Sequence, residues 1–275
     1  MGRMRAFFWL LLVTTLWGAT FPVVKVALEF ASVGVFLVLR FALAFLLLLL
    51  RGRRARWDWP AVRCGLALFF GYALQTWGLV TALPSRSAFI TSTSVILVPL
   101  LQGLMHQRLP SLETWVAVFS AVAGLALLLQ PESAPFTWGD VLTFGCALAF
   151  AAHVLTLSQA VRRQDPAAVN LVQMGIVALF SPLLLIADRP FLQPSAALVI
   201  SLLVTGYLAS ALAFFTMAKV LTVLTPPQVA VGLAFEPVAA FAISAMAGLE
   251  EITLSGVLGG VLVAVGVVLA ARNRD

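Results

Sequence analysis

One carboxylate, Glu236, stands near the middle of a long apolar stretch, and Pro237 follows it directly. An ionisable side chain at that depth is costly in hydrocarbon, so it points to a functional site. Two chemistries are open to it. It can carry a proton, or it can satisfy backbone groups loosened by Pro237 and pair with a cation such as Arg40, fixing the helix. Arg40 is just as isolated, lying about eight residues, or about 12 Å of helix rise, from either end of its own stretch. Snorkelling rescues it only in part, which leaves a structural ion pair or carbonyl clamp, or a contact with the carboxylate of a substrate. His153 and Gln75 are polar groups in mid-stretch that can orient a ligand by hydrogen bonds or bond to neighbouring helices. His106 and His153 are the only histidines, and Cys64 and Cys146 form no metal or redox spacing. No metal site and no cofactor are therefore expected.

These residues sit in a chain that is 62% hydrophobic and only 10% charged, with a mean hydropathy of +1.06. Ten segments approach the length of about 20 residues that a spanning helix needs: 6–24, 32–50, 64–83, 87–105, 114–129, 141–161, 167–187, 195–218, 226–249 and 252–271. The expected fold is thus an all-α integral membrane protein of ten transmembrane helices. Little chain remains for a soluble ATPase or enzyme core. The net charge of +6 is a question of sidedness rather than of nucleic acid. With the N-terminus in the cytoplasm, 13 of the 17 Lys and Arg fall at cytoplasmic ends and loops, the cluster Arg51, Arg53, Arg54 and Arg56 among them. Both termini are expected to be cytoplasmic in a multi-pass cell (inner) membrane protein. The N-terminal run resembles a signal peptide, but it continues through Pro22 without a small-x-small cleavage site and reads as the first span.

Ten helices divide into five plus five, and an odd count per half inverts the second half in the membrane, as in many secondary transporters. The expected repeats are 1–133 and 134–275. At an offset of 133, Trp17 meets Phe150, Thr20 meets His153 and Arg40 meets Gln173; at 142, Gly124 meets Gly266. The extra residues fit the DRPFLQP connection between the seventh and eighth segments. Helical spacing puts Tyr72, Gln75 and Leu79 on one face of the third segment. It does the same for Ser87, Thr91 and Ser94 in the fourth, and for Tyr207, Ser210 and Phe214 in the eighth. Trp17 and Phe150 can wall or gate a cavity, or simply pack. Pro22, Pro99, Pro182 and Pro237 remove helix hydrogen bonds and offer bending points. Small residues, Ser120 with Gly124 and Gly256 with Gly260, allow close packing within the chain or between two copies, so monomer and homodimer both stay open.

The strings WGATFPVVK (17–25), LRFALAFLLLLL (39–50), GLVTALPSRSAFITS (78–92), AFAAHVLTLSQAV (149–161) and FEPVAAFAISAMAGLEE (235–251) resemble, in order, motifs of the EamA-type members of the drug/metabolite transporter superfamily. The resemblance covers essentially the whole chain. It implies two inverted repeats around a central cavity, and export or exchange of small metabolites, amino acids among them. One departure is Pro99 in VILVP, where many members place a proline nearly one turn earlier.

The residues and the resemblance together read as a secondary carrier of small organic solutes. Trp17, Thr20, Tyr72, Gln75, Thr91, Ser94, Phe150, His153, Tyr207, Ser210 and Phe214 are its expected substrate-binding residues, and Arg40, Pro99, Glu236 and Pro237 its coupling or gating residues. A passive channel or permease subunit is the alternative, although the sequence has no charged ring or filter-like loop. An intramembrane aspartyl protease would need a second deep acid, so no enzyme activity is expected. The partners are the small-molecule substrate and the lipid bilayer, and not nucleic acid.

Overall fold

The computed structural model describes residues 1–51, 54–82, 84–107, 109–130, 136–246 and 251–272, with only the backbone of residues 21, 22, 84–86 and 244. The repeat boundary at 133/134, the hinge role of Pro22's side chain, and Arg53, Arg86, Arg108 and Arg274 lie outside what is described.

Ten spans follow one another. They are α1 (Arg3–Phe30), α2 (Val33–Leu49), α3 (Trp59–Thr81), α4 (Pro84–Ser92 continuing as Ser94–His106), α5 (Leu112–Leu129) and α6 (Trp138–Ala160). Then come α7 (Pro166–Phe180 running through a 3₁₀ turn to Ala187), α8 (Ala196–Val220), α9 (Pro226–Leu233 and Glu236–Met246) and α10 (Leu254–Arg272). Among the described residues nine spans are long and apolar enough to cross a bilayer, and the 17-residue α2 is the shorter one. The protein is an all-helical, multi-pass membrane protein. The first span is longer than its apolar run because the helix continues past Lys25 and Glu29 to Phe30.

Helix starts follow local chemistry. Asp58 caps α3 by accepting from the Ala61 amide at 3.2 Å. Thr225 and Gln228 form a capping box at α9. Pro60, Pro166 and Pro226 occupy first-turn positions, where a missing N–H costs nothing.

Both chain ends lie on one face of the bundle, where Arg3 donates to the Ala270 carbonyl at 3.3 Å. On that face the 51–58 connection is tied to the one after α6, with Gln164 accepting from the Arg56 amide and donating to its carbonyl. On the opposite face the α1–α2 turn is sewn to the 188–195 loop. Ser32 N donates to Phe191 O, Gln193 N to Phe30 O, and Gly34 N to the Asp188 carboxylate.

Because lipid is as apolar as the helix faces, packing here relies on close backbone approach. A Cβ on Gly124 would lie 2.6 Å from the Gly259 carbonyl, and one on Gly259 would lie 2.6 Å from the Gly124 carbonyl. Ser120 donates to the Leu262 carbonyl at 2.8 Å. The small residues of α5 thus serve packing inside the chain. Their partners on α10 are Gly259 and Gly266, while Gly256 packs on Phe241 and Gly260 has ordinary clearance.

Besides α7 with its 3₁₀ turn at Ser181–Leu183, three further spans are irregular. α4 breaks at Thr93 and α9 breaks at Ala234–Phe235. Thr93 and Phe235 are separated by 142 residues (235 − 93), the offset that also superposes Gly124 on Gly266, so the two breaks occupy equivalent places in the two repeats. In α8, Leu203–Leu212 winds as a π-helix. Its loosened carbonyls are met by side chains of other spans: Trp17 Nε1 donates to Ala209 O at 2.8 Å and Asn170 Nδ2 to Ala211 O at 2.8 Å.

Candidate functional site

The two breaks, and the α-helical turns of α8 that follow the π segment, border a cavity of about 110 Å³. α1 contributes Trp17, Thr20 and Val24, and α2 contributes Arg40. α3 presents Tyr72, Gln75, Thr76 and Leu79, so the face read from its spacing is the cavity face. The break in α4 exposes Thr91, Ser92 and Ser94. α6 gives Phe150 and His153, α8 gives Phe214 and Met217, and the break in α9 gives Ala234, Glu236 and Pro237.

Aromatic rings make one wall. Trp17 and Phe214 lie 4.9 Å apart by centroid, Tyr72 and Phe150 5.6 Å, and the His153 imidazole meets Phe214 edge-on at 5.5 Å. Gly71 permits this arrangement on α3, since a Cβ there would stand 2.5 Å from the Phe150 ring.

The charged groups do not pair with each other. Arg40, 3% exposed, donates from Nε to Ser210 Oγ at 2.9 Å and from Nη2 to the Tyr72 hydroxyl at 3.1 Å. Its guanidinium carbon lies 4.5 Å from the Tyr72 ring centroid, within cation–π range. Glu236 begins the second half of α9 and is half-buried. It has no hydrogen bond or ion pair among the described residues. The pairing of Glu236 with Arg40, one of the two roles open to each in the sequence, is not made. Pro237 follows at the first turn of the half-helix, where its missing N–H removes no bond. The half-helix start that frees the local backbone is therefore also what brings the carboxylate to the cavity.

Gln75 is half-buried and its amide has no bond among the described residues either. Other polar groups are already engaged. Thr20 donates to the Trp17 carbonyl at 2.7 Å, and Thr91 faces Cys146 Sγ at 4.0 Å.

Three expected site residues are placed elsewhere. Tyr207 is 39% exposed and lies in an outer groove with Leu47, Leu48 and Arg51, because π winding turns it off the face that carries Phe214. Ser210 is fully buried behind the wall, where it holds Arg40. Pro99 is buried inside Ser94–His106 and does not line the cavity, and the break in α4 lies at Thr93. Ser87 likewise bonds Thr143 at 3.2 Å rather than facing the cavity. Sequence reasoning missed Met217, Thr76 and Ser92 on the wall and Asn170 behind it. The one signal for Asn170 was its spacing of three from Gln173, two amides on one face of an apolar helix.

A model of the EamA-like transporter family matches residues 4–130 and, a second time, residues 137–272. The chain belongs to the EamA-like transporter family. Its two matched halves are the two inverted repeats around the cavity. Similar proteins include an uncharacterized transporter of Archaeoglobus fulgidus, 30% identical over 98% of this chain and 86% of that relative. The uncharacterized transporter YwfM of Bacillus subtilis is 28% identical over 94% and 91%. A riboflavin transporter of Vibrio cholerae is 24% identical over 61% of this chain and 55% of its own length. A crystal structure superposes with a TM-score of 0.76 at 16% identity, covering 98% of this chain and 96% of its own, a likeness of fold. Membership of the EamA-like transporter family makes the protein a transporter and implies a small-molecule substrate rather than an enzymatic reaction.

Proposed function

We propose that this EamA-like transporter is a secondary carrier that exports or exchanges small organic solutes, amino acids among them, by alternating access. The observation that carries the proposal is one chamber lined both by the carboxylate of Glu236, which has no bonding partner among the described residues, and by the aromatic rings of Trp17, Phe150 and Phe214. A few placed polar groups in an otherwise apolar pocket fix the orientation of a small amphiphile. An ammonium group suits Glu236, and Arg40, which also lines the cavity, suits a carboxylate. The moving bodies are the repeats 1–133 and 134–275, since the first supplies Trp17, Arg40 and Gln75 and the second His153, Phe214 and Glu236. The basic residues near the chain ends and the 51–58 connection favour cytoplasmic termini in the cell membrane.

Size narrows the class. The cavity of about 110 Å³ is below the ~150 Å³ in which an apolar cavity holds benzene. It is also well below the 300 Å³ or more of pockets for drug-sized ligands. An amino acid requires modest widening, whereas a flavin requires a much larger opening. Riboflavin is the second solute to test because of the Vibrio cholerae relative. Liposomes containing the purified protein and preloaded with unlabelled solute provide the test. Saturable uptake of labelled amino acid, accelerated by the preload, is expected. Non-saturating flux indifferent to the preload would indicate a channel.

A further inference from the structure

Behind the cavity wall runs a chain of hydrogen bonds whose direction can be worked out from one end. The Ala211 carbonyl accepts only, so the atom of Asn170 facing it at 2.8 Å must be the amide nitrogen. That turns Asn170 Oδ1 toward Gln173, whose Nε2 donates to it at 2.7 Å. Gln173 Oε1 is then left to accept, and it faces two groups: the Cys64 thiol at 3.2 Å and His153 Nε2 at 2.9 Å. His153 Nε2 must therefore carry a proton. All of these side chains are buried, and no alternative amide orientation avoids setting two acceptors or two donors face to face.

His153 also lines the cavity. Its second ring nitrogen, Nδ1, has no partner among the described residues and is not among the polar atoms sealed from solvent. In the neutral ring with Nε2 protonated, Nδ1 offers a lone pair.

We propose that Asn170 and Gln173 are positioning residues that lock His153 in its Nε2–H form, so that the transport site presents Nδ1 as a hydrogen-bond acceptor. The substrate class is thereby narrowed to solutes with an N–H or O–H donor at that end. The anchor of the chain is a carbonyl of the π segment in α8. A π-helix commonly marks functional positions, and here its register determines which amide faces which. The selectivity rests on the carrier reading above, while the ring state does not.

Histidine-selective ¹⁵N labelling tests the lock, since the sequence has only His106 and His153; His106→Gln assigns the signals. In the wild-type protein in lipid bilayers, His153 is expected to show a protonated Nε2 and a bare Nδ1 as a single species. Asn170→Leu is expected to abolish that uniqueness and give a mixture that includes the Nδ1–H form. Gln173→Met, which removes the amide at similar length, should do the same if the leucine variant does not fold. A wild-type spectrum with the proton on Nδ1 would overturn the proposal even if neither variant folds. So would an unchanged single Nε2–H species in either folded variant. Failure of the liposome flux experiment leaves these spectra unaffected, so the two readings fail separately.

Discussion

The indole N–H of Trp17 reaches across the repeat interface to the carbonyl of Ala209, 2.8 Å away in the π segment of α8. Trp17→Phe keeps a ring against Phe214 but leaves that buried carbonyl without its donor, a loss of about 1–3 kcal/mol. A lowered midpoint of thermal unfolding in detergent, with the cavity aromatics still packed, is the expected result.

Arg40 is held by Ser210 and Tyr72 together. A lysine carries a point charge and cannot direct two bonds from one planar fork, so Arg40→Lys should destabilise nearly as much as Arg40→Leu. A double-mutant cycle on Ser210→Ala and Tyr72→Phe should show coupling, because both groups act through one guanidinium. Strict additivity would mean that Arg40 is not shared between them.

The α5–α10 contact gives a contrast in glycines. Gly259→Ala places a methyl group 2.6 Å from the Gly124 carbonyl and the Leu128 amide, both backbone atoms that cannot step aside. Gly260→Ala meets only Val238 at 3.4 Å. Thermal unfolding should fall by several degrees for the first and hardly change for the second.

Glu236→Gln should fold with undiminished stability, since no hydrogen bond or ion pair is lost among the described residues. The neutral isostere keeps the shape but cannot cycle a proton or attract an ammonium group. Transport driven by a pH gradient is therefore expected to drop. A marked loss of stability with transport intact in the folded fraction would restore the structural role that the sequence left open.

Sidedness is checked with reporter fusions. An alkaline-phosphatase fusion at Gln193 should be active and one at Arg163 inactive, as the 188–195 loop lies on the face opposite both chain ends. The reverse pattern would invert the protein in the membrane.

Much of the fold was legible because a bilayer imposes it. Apolar length sets the spans, and in α3 the 3.6-residue period alone placed Tyr72, Gln75 and Leu79 on the cavity. That period failed in α8, where π winding separated Tyr207 and Ser210 from Phe214. No propensity marks a π segment, because what stabilises it is remote: the donors on Trp17 and Asn170. Pro99 lies inside the continuous helix Ser94–His106, and the break in α4 stands at Thr93, in register with the break beside Glu236. Arg40 and Glu236 were each recognisable as costly in hydrocarbon. That they do not meet depends on packing between α2, α3 and α8, which no local pattern encodes.

The central claim, that solute binds in the midspan cavity, is tested most directly by labelling single cysteines at Trp17, Gln75, His153 and Phe214. The background should lack Cys64 and Cys146. Gln75→Cys is the key position, being half-buried on the cavity face with no side-chain partner among the described residues to lose. It should react with a water-soluble maleimide, and a solute that shows counterflow should slow that reaction in proportion to its occupancy. Labelling that stays equally fast at saturating solute, or four positions unreactive toward the aqueous reagent yet reached by a lipid-soluble one, would contradict the claim.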